Sequence, residues 1–246
     1  MNIAIIFAGG TGSRVGNTLP KQFLDVDGMP ILIHTLNLFQ NHPEIHKIYL
    51  AVPENFVSHS HHLAQQYQIT KLSGVVVGGE TAQESIYITL QKAAQENPGD
   101  SIVLLHDGVR PCVTPSVISG NIRAVREKGN AITCIPGTET IILSSDGACV
   151  EDVTVRKQTF TAQAPQSFYL QDILFYHDRI RATQTGYENM VDACTILNTL
   201  GIKAHMVMGN WGNIKITTPE DIYFFRSMLH YNKSYHFHDT DREGKG

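Results

Sequence analysis

The sequence is short of the residues that would suit a secreted, membrane-bound or nucleic-acid-coating protein. Four cysteines occur in 246 residues (Cys112, Cys134, Cys149 and Cys194), widely spaced and with no CxxC pair. Such spacing excludes a dense disulfide framework or a zinc ribbon, and the four read as small apolar residues in a reducing compartment. No apolar run reaches the roughly 18 residues needed to span a bilayer, and Met1 leads straight into a strand-like segment without a basic leader. The expectation is a cytoplasmic protein with no membrane partner. Positive charge is not in excess either, since 19 Lys and Arg face 23 Asp and Glu for a net charge of -4. A mildly acidic field does not attract nucleic acid, so each basic residue needs a local explanation. No internal repeat is visible.

What the sequence does have is a glycine-rich turn directly after its first apolar segment. Ile3-Ala4-Ile5-Ile6-Phe7 is β-branched and short, as a buried parallel strand is, and Ala8-Gly9-Gly10-Thr11-Gly12-Ser13-Arg14 follows at once. Gly9, Gly10 and Gly12 lack a Cβ, so the backbone can approach an anion closely and aim N–H groups at it. Arg14 and, after Pro20, Lys21 add a guanidinium fork and a point charge, which suits a triphosphate undergoing reaction at phosphorus. A steric turn with no ligand would use the same glycines. Two nucleotide motifs are excluded: Gly12 is not followed by the Lys-Ser/Thr of a P-loop, and Val15 stands where a dinucleotide fingerprint needs its third glycine.

The rest of the chain alternates strand-like and helix-like patterns, as a parallel α/β sheet does. A helix is expected over 31–39, a strand over 47–52, a helix over 54–67 and a strand over 74–77. His59, His61 and His62 fall on a helix without partners to complete a metal site, and read as a solvated face. A second glycine turn, Gly78-Gly79-Glu80-Thr81-Ala82-Gln83-Glu84-Ser85, opens the next helix and can lie beside the first, because parallel strands end along one edge. The strand at 101–105 leads into His106-Asp107-Gly108-Val109-Arg110-Pro111. Asp107, at a strand end beside a phosphate loop, is placed to hold Mg²⁺; its alternative role is to cap the helix after Pro115. After a strand at 131–136 come short alternating runs near 138–143 and 149–156, the signature of an antiparallel arm. Thr140 and Arg156 on such an arm would act in a neighbouring subunit's site. Helices over about 170–182 and 190–200, a strand over 204–208, Lys215 on a short strand, and a final helix opened by Pro219 with Thr217 or Thr218 as cap complete the pattern. Residues 1–230 form one domain, with the arm at about 137–160; the polar stretch 231–246 is a disordered tail or an inter-subunit arm.

With these stations in place, the chain resembles the cytidylyltransferases that couple CTP to a sugar-alcohol phosphate, the 2-C-methyl-D-erythritol 4-phosphate and ribitol 5-phosphate cytidylyltransferases. The likeness is carried by residues 8–14, 20–23, 78–80, 106–111, Ala164-Pro165-Gln166 and Asn213-Ile214-Lys215-Ile216-Thr217. It implies a Rossmann-like, mainly parallel open sheet flanked by helices, with a protruding β-arm that builds a homodimer. It also implies that Phe7, Ala8, Gly9, Gly10 and Gly12 hold CTP, that Gly79, Glu80 and Ser85 face the cytosine, and that Arg14, Lys21 and Lys215 are catalytic. Asp107 would hold Mg²⁺, while Thr140, Arg156, Asp192 and Lys215 would bind a small polyol-phosphate acceptor. The sequence departs from the family pattern at Ala82, where arginine is common, and at Ala164, where threonine is common, so a different acceptor pocket is expected. Residues 19–25, Ala164-Pro165-Gln166-Ser167-Phe168 and Val191-Asp192-Ala193-Cys194 are similar to the ribitol 5-phosphate type. The expected reaction is attack by the acceptor phosphate on the α-phosphorus of CTP, giving CDP-ribitol and pyrophosphate. The methylerythritol phosphate reaction of isoprenoid synthesis and another polyol phosphate used for surface polysaccharide are the alternatives.

Overall fold

The computed structural model describes residues 1–9, 19–183, 187 and 190–235. The chain begins with β1 (Asn2–Phe7) and a small hairpin, β2 (Asp25–Val26) and β3 (Met29–Pro30), followed by α1 (Ile31–Asn41) and β4 (Lys47–Val52). α2 (Val57–Gln66), β5 (Leu72–Val77), α3 (Ala82–Glu96), β6 (Ile102–Asp107), α4 (Pro115–Lys128) and β7 (Asn130–Pro136) continue the alternation. An exposed antiparallel hairpin, β8 (Ile142–Leu143) and β9 (Asp152–Val153), then interrupts it. The chain closes with β10 (Phe160–Tyr169), α5 (Leu170–Ala182), α6 (Ala193–Thr199), β11 (Met206–Met208) and α7 (Pro219–Tyr235).

Seven strands form one sheet in the order β11-β7-β10-β6-β1-β4-β5. All neighbours are parallel except β10, which runs antiparallel to both β6 and β7. Side chains alternate across β1: Ile3 and Ile5 pack with Leu90 of α3 and Ile173 of α5, whereas Ala4 and Ile6 pack with Leu36 of α1 and Ile122 of α4. The sheet is therefore buried on both faces between helical layers, which is why its parallel strands β1, β4 and β6 are largely apolar. A third, smaller cluster of Val26, Ile31, Val109, Ile216 and Phe225 lies apart from these two. It joins the hairpin after Lys21, the turn after Asp107 and the segment carrying Lys215.

The structure departs from the sequence reading at β10, at Lys215 and at the end of the last helix. β10 is a ten-residue strand in the middle of the sheet, FTAQAPQSFY, a segment to which the sequence pattern assigned no strand. Its polar residues are buried in a network instead of facing water: Ser167 Oγ donates to Asn121 Oδ1, and Asn121 Nδ2 donates to Thr133 Oγ1. Lys215 is not on a strand, since the segment makes one sheet-like bond, from Ile216 N–H to the Val109 carbonyl. α7 opens at Pro219 directly after Thr218, and in its first turn Asp221 reaches back, its Oδ2 accepting from the N–H groups of Thr217 and Thr218 and from the Thr217 hydroxyl. α7 also runs on to Tyr235, past the boundary at 231, and residues 236–246 lie outside the described residues. The cysteines are free, with Cys134 buried and Cys149 exposed on the arm.

Candidate active site

The register of the sheet brings the first-strand turn and the Asp107 turn to one edge. Phe7 at the end of β1 lies opposite Asp107 of β6 and Ala51 of β4, and Val52 lies opposite Val77 at the end of β5. The main chain continues this order beyond the strands, with Ala8 N–H donating to the Ala51 carbonyl, Gly78 N–H to Val52 and Gly108 N–H to Phe7. Ligands of open α/β sheets bind at this edge. Gly108 is glycine for a steric reason: a Cβ there would come within 2.9 Å of the Ala8 Cβ and 3.1 Å of a Leu32 methyl.

Ser85 is the contact between the two glycine turns. Its hydroxyl would lie 3.2 Å from a Cβ on Gly9 and 2.8 Å from one on Gly78, and it donates to the Thr81 carbonyl. The expected juxtaposition of the turns is therefore real on the Gly9 side; Gly10, Gly12 and Arg14 lie outside the described residues. Thr81 Oγ1 caps α3 by accepting from Glu84 N–H, so the Gly79-Glu80 turn sits directly on a helix start. Arg181 of α5 reaches the same turn. Its guanidinium stacks 4.4 Å from the Tyr87 ring centroid and 4.9 Å from that of Tyr187, and both Glu84 oxygens lie 3.4 Å from its Nη1. Gly79, Glu80, Thr81, Glu84, Arg181 and Tyr187 share one open pocket. Neither Arg181 nor Tyr187 was suggested by the sequence, because their partners are about a hundred residues away in the chain.

Asp107 is the electrostatic centre. Lys215 Nζ lies 2.7 Å from its Oδ1 and Arg110 Nε 2.8 Å from its Oδ2. Arg110 also donates from Nη1 to the Asn213 carbonyl, which fixes the Lys215 segment to the strand end. Burial works against ionisation of Asp107, but the Lys215 and Arg110 charges outweigh it and hold the carboxyl below the ordinary carboxylate range. The alternative role as helix cap is not realised: Thr114 occupies the N-cap position of α4, without a side-chain cap bond, and the Asp107 oxygens face Arg110 and Lys215. The part played by Arg110 was missed, although an acid and an arginine three residues apart beyond a strand were a usable signal. Lys21 lies on a short 3₁₀ turn, Lys21–Phe23, which the side chain of Gln22 ties to the Ala8 carbonyl.

Phe7, Asp107, Arg110 and Lys215 open onto a cavity of about 180 Å³ that is also walled by Ala82, Gln83, Gln163, Gln166 and Asp192. Asp192 caps α6 through Oδ1, accepting from Thr195 N–H, and its Oδ2 accepts from Gln166 Nε2. Its carboxylate thus has a structural task, whatever it does for a ligand. Thr140 and Arg156 are brought together on the arm, with Arg156 Nη2 donating to Thr140 Oγ1 at 3.1 Å, and neither lines this cavity. Among the described residues no three His, Cys, Asp or Glu side chains group as a metal site, and no helix is long and apolar enough to cross a membrane.

Similarity to known proteins follows the same stations. Residues 2–230 match the family described as IspD, 2-C-methyl-D-erythritol 4-phosphate cytidylyltransferase. The chain is 40% identical over 229 residues to the ribitol-5-phosphate cytidylyltransferase of Streptococcus agalactiae serotype III, covering 93% of this chain and 95% of the relative. It is 40% identical to the Vibrio parahaemolyticus protein of that name (93% and 96% covered) and 38% identical to the 2-C-methyl-D-erythritol 4-phosphate cytidylyltransferase of Syntrophus aciditrophicus (92% and 95%). Among solved structures it is similar to the Anaerococcus prevotii 4-diphosphocytidyl-2C-methyl-D-erythritol synthase, with TM-score 0.80, 26% identity and 93% and 96% of the two chains covered. The Francisella tularensis cytidylyltransferase gives 0.77 at 27% identity, with 93% and 99% covered. A sheet edge with paired glycine turns, an Asp107 flanked by Lys215 and Arg110, and likeness across nearly the whole chain lead to one conclusion: the protein belongs to the IspD family of CTP-dependent cytidylyltransferases.

Proposed function

We propose that the protein transfers CMP from CTP to D-ribitol 5-phosphate, releasing pyrophosphate and CDP-ribitol. The observation that carries the acceptor is the 40% identity, across 93% of the chain, to proteins named for that substrate. The cavity beside Lys215 supports it, since its wall of Gln163, Gln166 and Asp192 suits a hydroxyl-rich chain. In this reading a phosphate oxygen of the acceptor forms a bond to the α-phosphorus as the bond from that phosphorus to the bridging oxygen breaks, and pyrophosphate leaves with the electron pair. The acceptor phosphate is already an anion near neutral pH, so no general base is needed. The chain's task is to bring two polyanions together and to stabilise charge growing at phosphorus.

Gly9 and the loop after it, with Arg14 and Lys21, would take the triphosphate; Gly79, Glu80 and Ser85 would take the cytosine, and Lys215 would span nucleotide and acceptor phosphates. Asp107 would contribute the protein carboxylate to Mg²⁺. Each of its oxygens accepts one cationic donor and keeps a second lone pair, and a single carboxylate is enough for an ion bound chiefly by substrate phosphates. When bound, the ion would neutralise phosphate charge. The arm would carry Thr140 and Arg156 to the acceptor phosphate in the partner of a homodimer.

A pyrophosphate-release assay with CTP and a panel of ribitol 5-phosphate, methylerythritol 4-phosphate, glycerol phosphate and other pentitol and hexitol phosphates tests the acceptor. Ribitol 5-phosphate is expected to give the highest kcat/KM, at least about tenfold above methylerythritol 4-phosphate, the scale of one well-made hydrogen bond. The second reading, methylerythritol 4-phosphate, is favoured by the Syntrophus relative at 38% identity, and a reversed ranking would establish it.

A further inference from the structure

The second glycine turn rests on a cluster of side chains that the reaction itself does not use. Gly79 is not among the glycines with positive φ, so glycine stands there for space and not for conformation. A Cβ on it would collide with Cβ and Cγ of Glu84, five residues on in the first turn of α3. The methylenes of Glu84 are therefore the surface on which the turn lies. The turn is placed no better than they are.

Glu84 is in turn held from α5. Both of its carboxylate oxygens lie 3.4 Å from Arg181 Nη1, and the guanidinium is fixed by the Tyr87 and Tyr187 rings, whose centroids are 4.4 and 4.9 Å away. The rings are anchored too: the Tyr87 hydroxyl donates to Asp178 Oδ1 at 2.7 Å, and that of Tyr187 to the Gln83 carbonyl at 3.0 Å. The apolar core contacts of α3 fall at Ile86, Leu90 and Ala93, beyond Glu84, so these polar and aromatic ties hold the helix start. An ion pair whose two side chains are each 36% exposed adds little to the stability of the fold. What it supplies is a fixed place for Glu84, and through Glu84 for the turn.

We propose that Arg181 is a positioning residue for nucleotide selection, which acts through Glu84 to fix the Gly79-Glu80 turn against the cytosine and so separates CTP from UTP. The inference rests on the reading of this turn as the cytosine side of the CTP site. Cytosine carries an amino donor where uracil carries an oxo acceptor. A turn tells the two apart only while its own polar groups stay within hydrogen-bond reach of one and cannot shift to suit the other. Arg181 need touch neither substrate for this.

The test compares wild type with Arg181→Met, which keeps a long stem between the rings and loses the charge, with Glu84→Gln, and with the double variant. kcat/KM is measured for CTP and for UTP with the best acceptor of the panel, together with the acceptor KM and the melting temperature. Arg181→Met is expected to lower kcat/KM for CTP about tenfold and that for UTP by no more than about twofold, so that the preference for CTP falls about fivefold or more. The acceptor KM is expected within about twofold of wild type, and the melting temperature lower by at most about 4 °C. Because Arg181 acts through Glu84, adding Glu84→Gln is expected to change the CTP value by less than about a further twofold. Equal losses for CTP and UTP, single effects that multiply in the double variant, or a CTP value within about twofold of wild type overturn the assignment. If Arg181→Met does not fold, Arg181→Lys, which keeps the charge without the planar fork, is held to the same criteria with a CTP loss of at least about threefold. Failure of the underlying reading looks different. If wild type uses UTP as well as CTP, the cytosine reading of the turn and the Arg181 inference fall together; if wild type prefers CTP and the variants prefer it equally, only Arg181 is misassigned.

Discussion

The two lysines of the site make different demands on the fold. Lys215 is paired with Asp107 at 2.7 Å and sits on a segment pinned by Arg110, so its position is set before any ligand arrives. Lys21 projects from a short turn anchored through Gln22 to Ala8, and it belongs to no hydrophobic cluster. Lys21→Ala is expected to leave the protein folded while lowering kcat by on the order of 10²–10³, the usual loss for a preorganised charge-stabilising donor. Near-wild-type turnover would remove Lys21 from the catalytic set. Arg110 is the opposite case, mostly buried with one hand on Asp107 and the other on the Asn213 carbonyl. Arg110→Leu strands both acceptors, leaving Asp107 with the half-exposed Lys215 alone, and is expected to cost roughly 2 kcal/mol in urea unfolding. Asp107 ionises more easily folded than unfolded, so its contribution is present above the ordinary carboxylate pKa of about 4 and is lost as pH falls through its depressed folded value.

At the scale of elements, the two least regular pieces separate what the sequence could reveal from what it could not. The arm was legible because an exposed hairpin keeps a simple alternation: Ile142 pairs with Val153 and Leu143 with Asp152, with Gly147 at φ 70° in the connecting turn. β10 was not legible, because the usual signal for a central strand is continuous apolarity and this one buries Gln163, Gln166 and Ser167 on long-range hydrogen bonds. Pro165, which cannot donate to a ladder, falls where the pairing with β7 shifts register, and further disguises the strand. The strap carrying Lys215 was read as a strand for a related reason, since β-branched Ile214, Ile216 and Thr217 mimic one while the actual anchors are Val109 and Asp221. The arm's apolar residues, Ile141, Ile142, Leu143, Val150, Val153 and Val155, are 40–61% exposed, a patch suited to burial between subunits. Replacing residues 139–157 with a short Gly-Ser turn is expected to leave the sheet folded, convert a dimer to a monomer in light scattering, and abolish turnover while CTP still raises the melting temperature. An arm-less variant that remains dimeric, or wild type that is monomeric, defeats the assembly proposed for the arm.

For the molecule as a whole, a mainly parallel sheet with a common edge followed from the alternation of patterns, and the Gly9, Gly78 and Asp107 stations met there as the parallel topology requires. What no local pattern could announce was the connection running from α5 through Tyr187 to α3. His177 is fully buried, and its Nδ1 lies 2.8 Å from the Tyr187 hydroxyl. That hydroxyl has one hydrogen, which goes to the Gln83 carbonyl, so the imidazole must be the donor at Nδ1 and carry its lone pair on Nε2, an atom with no partner. Burial, reinforced by the nearby Arg181 charge, pushes the His177 pKa down to about 4, while an unfolded histidine titrates near 6.5. Between these values the unfolded chain binds a proton that the folded chain refuses, so stability is complete above about pH 6.5 and falls as pH drops toward 4. The slope from this one group is at most about 1.4 kcal/mol per pH unit. His177→Leu, which cannot titrate, is expected to be less stable than wild type at pH 8 through the lost bond to Tyr187 and to show a flatter decline from pH 6.5 to 4, so that the two urea midpoints converge on acidification. Parallel curves would mean that His177 is protonated in the folded protein and that the connection from α5 to the first turn of α3 does not depend on its neutral form.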